Sequence, residues 1–181
     1  WGVVMRRAPR APLFTDAAPV RDSWPKAKAA LSMRRGGPVA PDWVCNMVVR
    51  IFKSGGRLEE ISSYSRAKRV GPFVYVAGTT AVEPSGKLHA PGDMYAQSIF
   101  IFARIEAALR EVGAEMRHVV RTRCYMTDMS QAAGFIQAHG EIFKGIDPVT
   151  SGVEVGLSQP GMMLEVDVDA ILHDEDGNIP T

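Results

Sequence analysis

The sequence predicts an α+β domain with two helices laid on one face of a mixed sheet. Three observations carry this. Two segments, 93–112 and roughly 130–143, place apolar residues at helical spacing. Short strand-like runs surround them in the order β-β-β-α-β-α-β-β. The later runs each sort into an apolar and a charged face.

Taken in order, residues 48–52 form a β-rich run that ends at Ser54-Gly55-Gly56. Residues 65–70 and 73–77 read as two strands joined by the turn pair Gly71-Pro72, which makes them a hairpin. Loop signals follow at Glu83-Pro84-Ser85-Gly86 and Ala90-Pro91-Gly92. Asp93 caps the first helix, whose face carries Ile101, Ile105, Ala108 and Val112, and Gly113 stops it. Residues 119–126 are a strand. Ser130 or Thr127 caps a second helix through Phe143, with Phe135, Ala138 and Ile142 on one face and Gly145 and Pro148 beyond its end. Residues 151–155 and 164–172 are the last strands.

Length and composition suit one ordinary domain with an extension: 181 residues, 46% apolar, 23% charged, net charge +1. The charge is uneven. Residues 1–46 hold eight basic and three acidic side chains, six of the twelve prolines and all three tryptophans, without a sustained period. They read as a poorly ordered basic extension, and residues 47–181 as the folded domain. A transit peptide, an arm that touches a partner, and sequence upstream of the true start all fit the extension. A start near Met47 is favoured. The domain itself then holds 13 basic and 17 acidic residues, with no basic stripe, which argues against a nucleic-acid partner. No apolar run reaches membrane-spanning length, so no membrane partner is expected. Cys45 and Cys124 make neither a disulfide framework nor a zinc site, and His89 and His173 have no metal-ligand spacing, so no metal is expected. A cytoplasmic location follows, or a mitochondrial one if 1–46 are a transit peptide.

Strand faces locate the charge. Val120, Thr122, Cys124 and Met126 oppose Arg121, Arg123 and Tyr125. Leu164, Val166 and Val168 oppose Glu165, Asp167 and Asp169. Between these runs, Ser151, Val153 and Val155 are expected on the apolar side, and Thr150, Gly152 and Glu154 on the charged one. The plain alternative for that face is a solvated surface with cross-strand ion pairs worth under about 1 kcal/mol each. Phe73, Tyr75 and Tyr125 on the same face argue instead for a covered interface with clefts.

In that setting YVAGTT (75–80), PGDMYAQ (91–97), VVRTRCYMTDM (119–129), DPVTSGVEV (147–155) and LEVDVDAI (164–171) resemble the Rid family, also called the YjgF or reactive-intermediate-deaminase family. The resemblance runs in order from about Tyr64 to Ile171. It implies a chorismate-mutase-like fold and a homotrimer whose subunit boundaries form clefts. It further implies that a small α-imino or enamine acid is hydrolysed there to a keto acid and ammonia, without cofactor or metal. The deaminases of the family hold the substrate carboxylate with an arginine in Pro-x-Arg-Ser. Here the stretch is Pro148-Val149-Thr150-Ser151, and Thr150 is uncharged. Arg-Thr-Arg together with Val-Glu-Val is similar to a branch that lacks that arginine.

The resemblance puts Asp167 at the water-orienting carboxylate when Ala170-Ile171 is the anchor. An alternative register puts Glu165 there. Tyr64 and Gly78 correspond to a pocket tyrosine and glycine, with Ala77 where the family often has serine. Gly152 and Glu154, beside Thr150, complete the substrate-binding candidates. Two accounts of Arg123 stay open. It replaces the missing arginine, or it simply pairs with Glu154 and the cleft either binds a different ligand or is inert.

Of the remaining residues, His118 is expected at the surface and His139 packed at a helix edge near Phe135 and Phe143. Cys124 is expected to be an inert core thiol, and Asp128 a helix cap.

Overall fold

The computed structural model describes residues 48–179, so the extension 1–46, with Cys45, lies outside the described residues. The elements run β1 (Val49–Phe52), α1 (Arg57–Ile61), β2 (Ala67–Val70), β3 (Phe73–Thr80), α2 (Met94–Glu111), β4 (Val119–Met126), α3 (Ala132–Ile142), β5 (Val149–Glu154) and β6 (Leu164–Ile171). One six-stranded sheet has the order β1-β2-β3-β6-β4-β5. Every neighbouring pair is antiparallel except β4 and β5. That parallel pair is joined through α3, because parallel neighbours need a long crossover.

The expected architecture is present, with a short helix, α1, that carries no apolar period. Asp93 caps α2: its Oδ1 accepts the Ala96 N–H at 2.9 Å. Gly113 follows the last turn at φ +80°, a conformation that glycine adopts without a Cβ clash. Asp128 accepts the Ser130 N–H at the 3-10 turn that leads into α3. Ile101, Phe102, Ile105 and Leu109 of α2 are buried against the sheet. Phe102 also meets the rings of Phe135 and Phe143. Each such side chain contributes about 1.5–3 kcal/mol on burial.

The faces of β6 and of β4 from Thr122 onward are as the alternation predicts, with Thr122, Cys124, Met126, Leu164, Val166 and Val168 buried under the helices. At the start of β4 a register shift buries Val119 and leaves Val120 half-buried. The faces of β5 are the reverse of the expectation. Its parallel register pairs Thr150 with Thr122 and Gly152 with Cys124, so Thr150, Gly152 and Glu154 share the helix side. Ser151 and Val153 share the charged side with Arg123 and Tyr125. The valines misled because β5 is an edge strand exposed along its whole length, where hydrophobicity does not mark the inner face.

Cys124 is fully buried and burial pushes its thiol up to about 12. It should therefore escape alkylation by iodoacetamide in the native protein at about pH 8. Mass mapping of the Cys124 peptide checks this; rapid native labelling would show that the core opens.

His118 corrects a second expectation. It is buried, with the Glu115 N–H donating to its Nδ1 at 2.9 Å. The 3-10 turn Met116–His118 folds the ring inward to close a capping box with Glu115. His139 packs among Phe102, Phe135 and Phe143, as expected for that helix face.

Burial lowers both imidazoles from 6.5; Arg117 adds to this for His118, and Glu115 opposes it. A base with a lowered folded pKa is protonated first in the unfolded chain. The stability from these histidines is therefore complete above 6.5 and is lost as pH falls below it. The urea midpoint should drop between about pH 7 and pH 5. A His118→Gln/His139→Gln double variant should show a flatter profile over that interval, and an equally steep one would remove these two groups as the cause.

Candidate functional site

The β3–β6 register slips between Val76 and Thr79, a bulge at Ala77-Gly78. Beside it opens a cleft of about 930 Å³ whose lining includes Glu59, Tyr64, Arg66, Gly78, Arg104 and Glu165. Gly78 is bare for a reason. A Cβ built there would fall 1.9 Å from Glu165 Oε1 and 2.7 Å from its Cδ. The carboxylate thus lies across the glycine backbone, and any side chain at 78 would displace it.

Arg66 braces the bulge. Its Nη1 donates to the Gly78 carbonyl at 2.6 Å and to Thr79 Oγ1 at 3.2 Å. Its Nε reaches Glu59 Oε1 at 3.4 Å, and its Nη2 reaches the Tyr64 hydroxyl at 3.4 Å. The guanidinium carbon stands 5.7 Å from the Tyr64 ring centroid, a cation–π distance. Glu59, 3% exposed, also accepts the Ser54 N–H at 2.7 Å and hydroxyl at 2.5 Å. Burial opposes its charge, but these bonds and Arg66 prevail and hold it below the usual carboxylate range.

Glu165 differs. Among the described residues it forms no ion pair and no side-chain hydrogen bond. Burial raises its pKa, the Arg66 charge opposes the rise, and Asp167 adds to it. A carboxylate so placed is a better proton acceptor than an ordinary glutamate.

The other sequence candidates lie elsewhere in the subunit. Arg123 donates from Nε to Asp167 Oδ1 at 2.6 Å and from both Nη atoms to Asp169 at 2.8 and 2.9 Å. Tyr125 donates its hydroxyl to Asp167 Oδ2 at 3.1 Å. The bidentate bond to Asp169 is the largest influence holding the Arg123 pKa above its ordinary value. Arg123 and Asp167 thus belong to an ionic cluster on the sheet face.

On the opposite face, Thr150 accepts a hydrogen bond from Thr122 at 2.9 Å and stands 3.2 Å from His139 Nε2. Glu154 accepts the Met129 N–H at 2.9 Å, not an Arg123 bond. Gly152 lies beneath Met126 and Met129. Tyr64, Gly78 and Glu165 are therefore brought together, whereas Arg123, Asp167, Thr150, Gly152 and Glu154 are not in that cleft. Sequence reasoning missed Arg66, Arg104 and Glu59. Of these only Arg66 left a signal, its place two residues after Tyr64; the strand β2 begins just beyond it, at Ala67.

Two helices on one face of a bulged six-stranded sheet, with a tyrosine–glycine–glutamate cleft at the bulge, define a recognisable class of protein. The family model described as Endoribonuclease L-PSP matches residues 55–172, and the chain belongs to that family. An uncharacterized protein of Streptomyces coelicolor is 33% identical over 123 residues, 67% of this chain and 91% of that protein. A RutC family protein of Pyrococcus abyssi is 30% identical over 107 residues, 59% of this chain and 84% of that protein. A crystal structure of a YjgF/YER057c/UK114 family member from Mycobacterium tuberculosis is 40% identical with a TM-score of 0.63. It matches over 69% of this chain and 100% of its own. Among the described residues no helix is long and apolar enough to cross a membrane, and no cluster of three metal-ligating side chains occurs.

Proposed function

We propose that this protein hydrolyses a small reactive imine or enamine in the Glu165 cleft. The carrying observation is the half-buried Glu165 carboxylate, without an ionic partner among the described residues and lying across Gly78. Glu165 takes a proton from a water molecule as the oxygen adds to the C=N carbon. Glu165 returns that proton to the nitrogen, which gives a carbinolamine. The carbinolamine hydroxyl proton then passes to nitrogen as well, the C–N bond breaks, ammonia leaves and the carbonyl forms. Tyr64 packs against the substrate. The water-orienting role falls to Glu165 and not to Asp167, whose oxygens are engaged by Arg123 and Tyr125.

The cleft closes at the boundary of a homotrimer in this proposal. Support comes from the sheet's outer face, where Phe73, Tyr75 and Val153 are 44%, 51% and 46% exposed beside fixed charges. A cytoplasmic location suits the chemistry. Endoribonuclease activity, the family's descriptive name, is not favoured: Glu59, Glu83 and Glu165 outnumber Arg66 and Arg104 in the cleft, which repels a phosphodiester backbone.

A second reading has its own observation. Thr150 is uncharged and its hydroxyl is engaged by Thr122 and His139, so the cleft lacks the β5 arginine that the deaminase resemblance requires. A trimer that binds a metabolite without turnover fits that. One assay separates the two. The imine of pyruvate is generated in situ and ammonia release is followed. Release faster than buffer supports hydrolysis; release equal to buffer, with pyruvate still bound, supports the binding protein. Sedimentation as a lone subunit would remove the intersubunit placement.

A further inference from the structure

Arg66 and Arg104 are the cations that line the cleft among the described residues, and they differ in how they are engaged. Arg66 is committed to the bulge and to Glu59. Arg104 rises from the middle of α2 and is half-buried. Its Nη1 donates to the carbonyls of Thr80 and Val82, which fixes the plane of the guanidinium. Its Nε and Nη2 have no hydrogen-bond partner among the described residues, and no carboxylate there comes within ion-pair distance. Neither free nitrogen is a buried orphan, so this edge of the guanidinium is open to solvent or to a ligand. Burial lowers its pKa, the nearby Arg66 charge adds to this, and Glu59 offsets part of it.

We infer that Arg104 is the anion handle of this cleft and that the ligand it receives carries a carboxylate. The inference rests on the cleft being a metabolite site, as proposed above. It moves anion recognition from the sheet edge, where Thr150 has no charge, to the helix. The free edge of a planar guanidinium offers two parallel N–H donors, which match a carboxylate. The preformed bonds to Thr80 and Val82 reduce the ordering cost of that fit. Three glutamates in the same lining disfavour a dianion, so a carboxylate suits the site better than a phosphate.

The test measures binding, not turnover. Calorimetry compares pyruvate, its neutral amide pyruvamide, and inorganic phosphate on the full chain. The wild type should prefer pyruvate to pyruvamide by roughly tenfold or more. Arg104→Met should lose that preference while leaving pyruvamide binding unchanged, a pattern that loss of a mere carbonyl brace would not give. If Arg104→Met does not fold, Arg104→Lys serves: it keeps the charge, loses the fork, and should show a reduced preference.

The inference falls if the folded variants keep the full pyruvate preference, and the hydrolase reading then survives. It also falls if phosphate binds as tightly as pyruvate, or if the wild type binds pyruvate and pyruvamide equally. If the wild type binds neither carbonyl compound, the metabolite cleft itself is lost.

Discussion

Glu165→Gln should lower the turnover rate for imine hydrolysis by roughly a hundredfold or more, the usual contribution of a positioned general base. The amide keeps the size of the side chain and its position across Gly78, so binding of a non-reacting ligand should change little. Asp167→Asn, in contrast, removes acceptors from Arg123 and Tyr125 on the sheet face and should leave the rate within a few-fold. In the wild type the rate should fall on the acid side, with an apparent pKa above the ordinary glutamate value, because burial raises that of Glu165.

Stability should move the other way. A carboxyl with a raised folded pKa binds a proton more tightly in the native state than in the unfolded chain. Stability is therefore highest below the unfolded value of 4.5 and is partly lost as pH rises through the raised folded value. At neutral pH the glutamine variant should be slightly more stable than the wild type, and the difference should vanish below about pH 4.5. Initial rates with imine made in situ, and urea titrations at both pH values, check the pair. A glutamine variant with full turnover would remove Glu165 from the chemistry.

The sequence made some elements legible and hid others, for physical reasons. The long helix and the Gly71-Pro72 hairpin were readable because burial imposes a period on Ile101, Ile105 and Ala108, and because the turn pair is specific. Helix α1 was not, since Leu58 and Ile61 are exposed and five residues give no period. The inner face of β5 was misread because alternation fixes which residues share a face but not which face lies inside, and an edge strand exposed along its length gives no apolar clue. His118 looked like a surface histidine until a capping box turned it inward.

The cleft was half legible. Tyr64 and Gly78 came from the resemblance, and Glu165 stood as the alternative register. Which of two same-face carboxylates meets Gly78 depends on the Ala77-Gly78 bulge, and a bulge shifts register without a signature in this sequence. Arg104 stands three residues after Ile101 and four before Ala108, at the flank of the apolar face, where helical spacing says nothing of the loop carbonyls it meets.

Arg123→Met should destabilise the fold by about 2 kcal/mol, below the 3–5 kcal/mol typical of a fully buried pair. The discount reflects the 35% exposure of Arg123 against 17% and 24% for Asp167 and Asp169. Removing the guanidinium leaves two carboxylates on one strand face, two residues apart, without the cation that both accept from. Most of the cost is that uncompensated charge. Adding Asp167→Asn and Asp169→Asn to Arg123→Met should therefore recover much of the loss. Arg121 is the control: it stands 3.9 Å from Asp169 and is 49% exposed, so Arg121→Met should cost under about 1 kcal/mol. Denaturant midpoints of the four proteins check the ranking. If the homotrimer encloses this face, Arg123→Met also weakens association, because the assembly withdraws the two uncompensated aspartates from water, and its midpoint falls more on dilution than that of the wild type. An Arg123→Met midpoint equal to that of the wild type would show the cluster to be a solvated surface network, and the case for a covered sheet face would go with it.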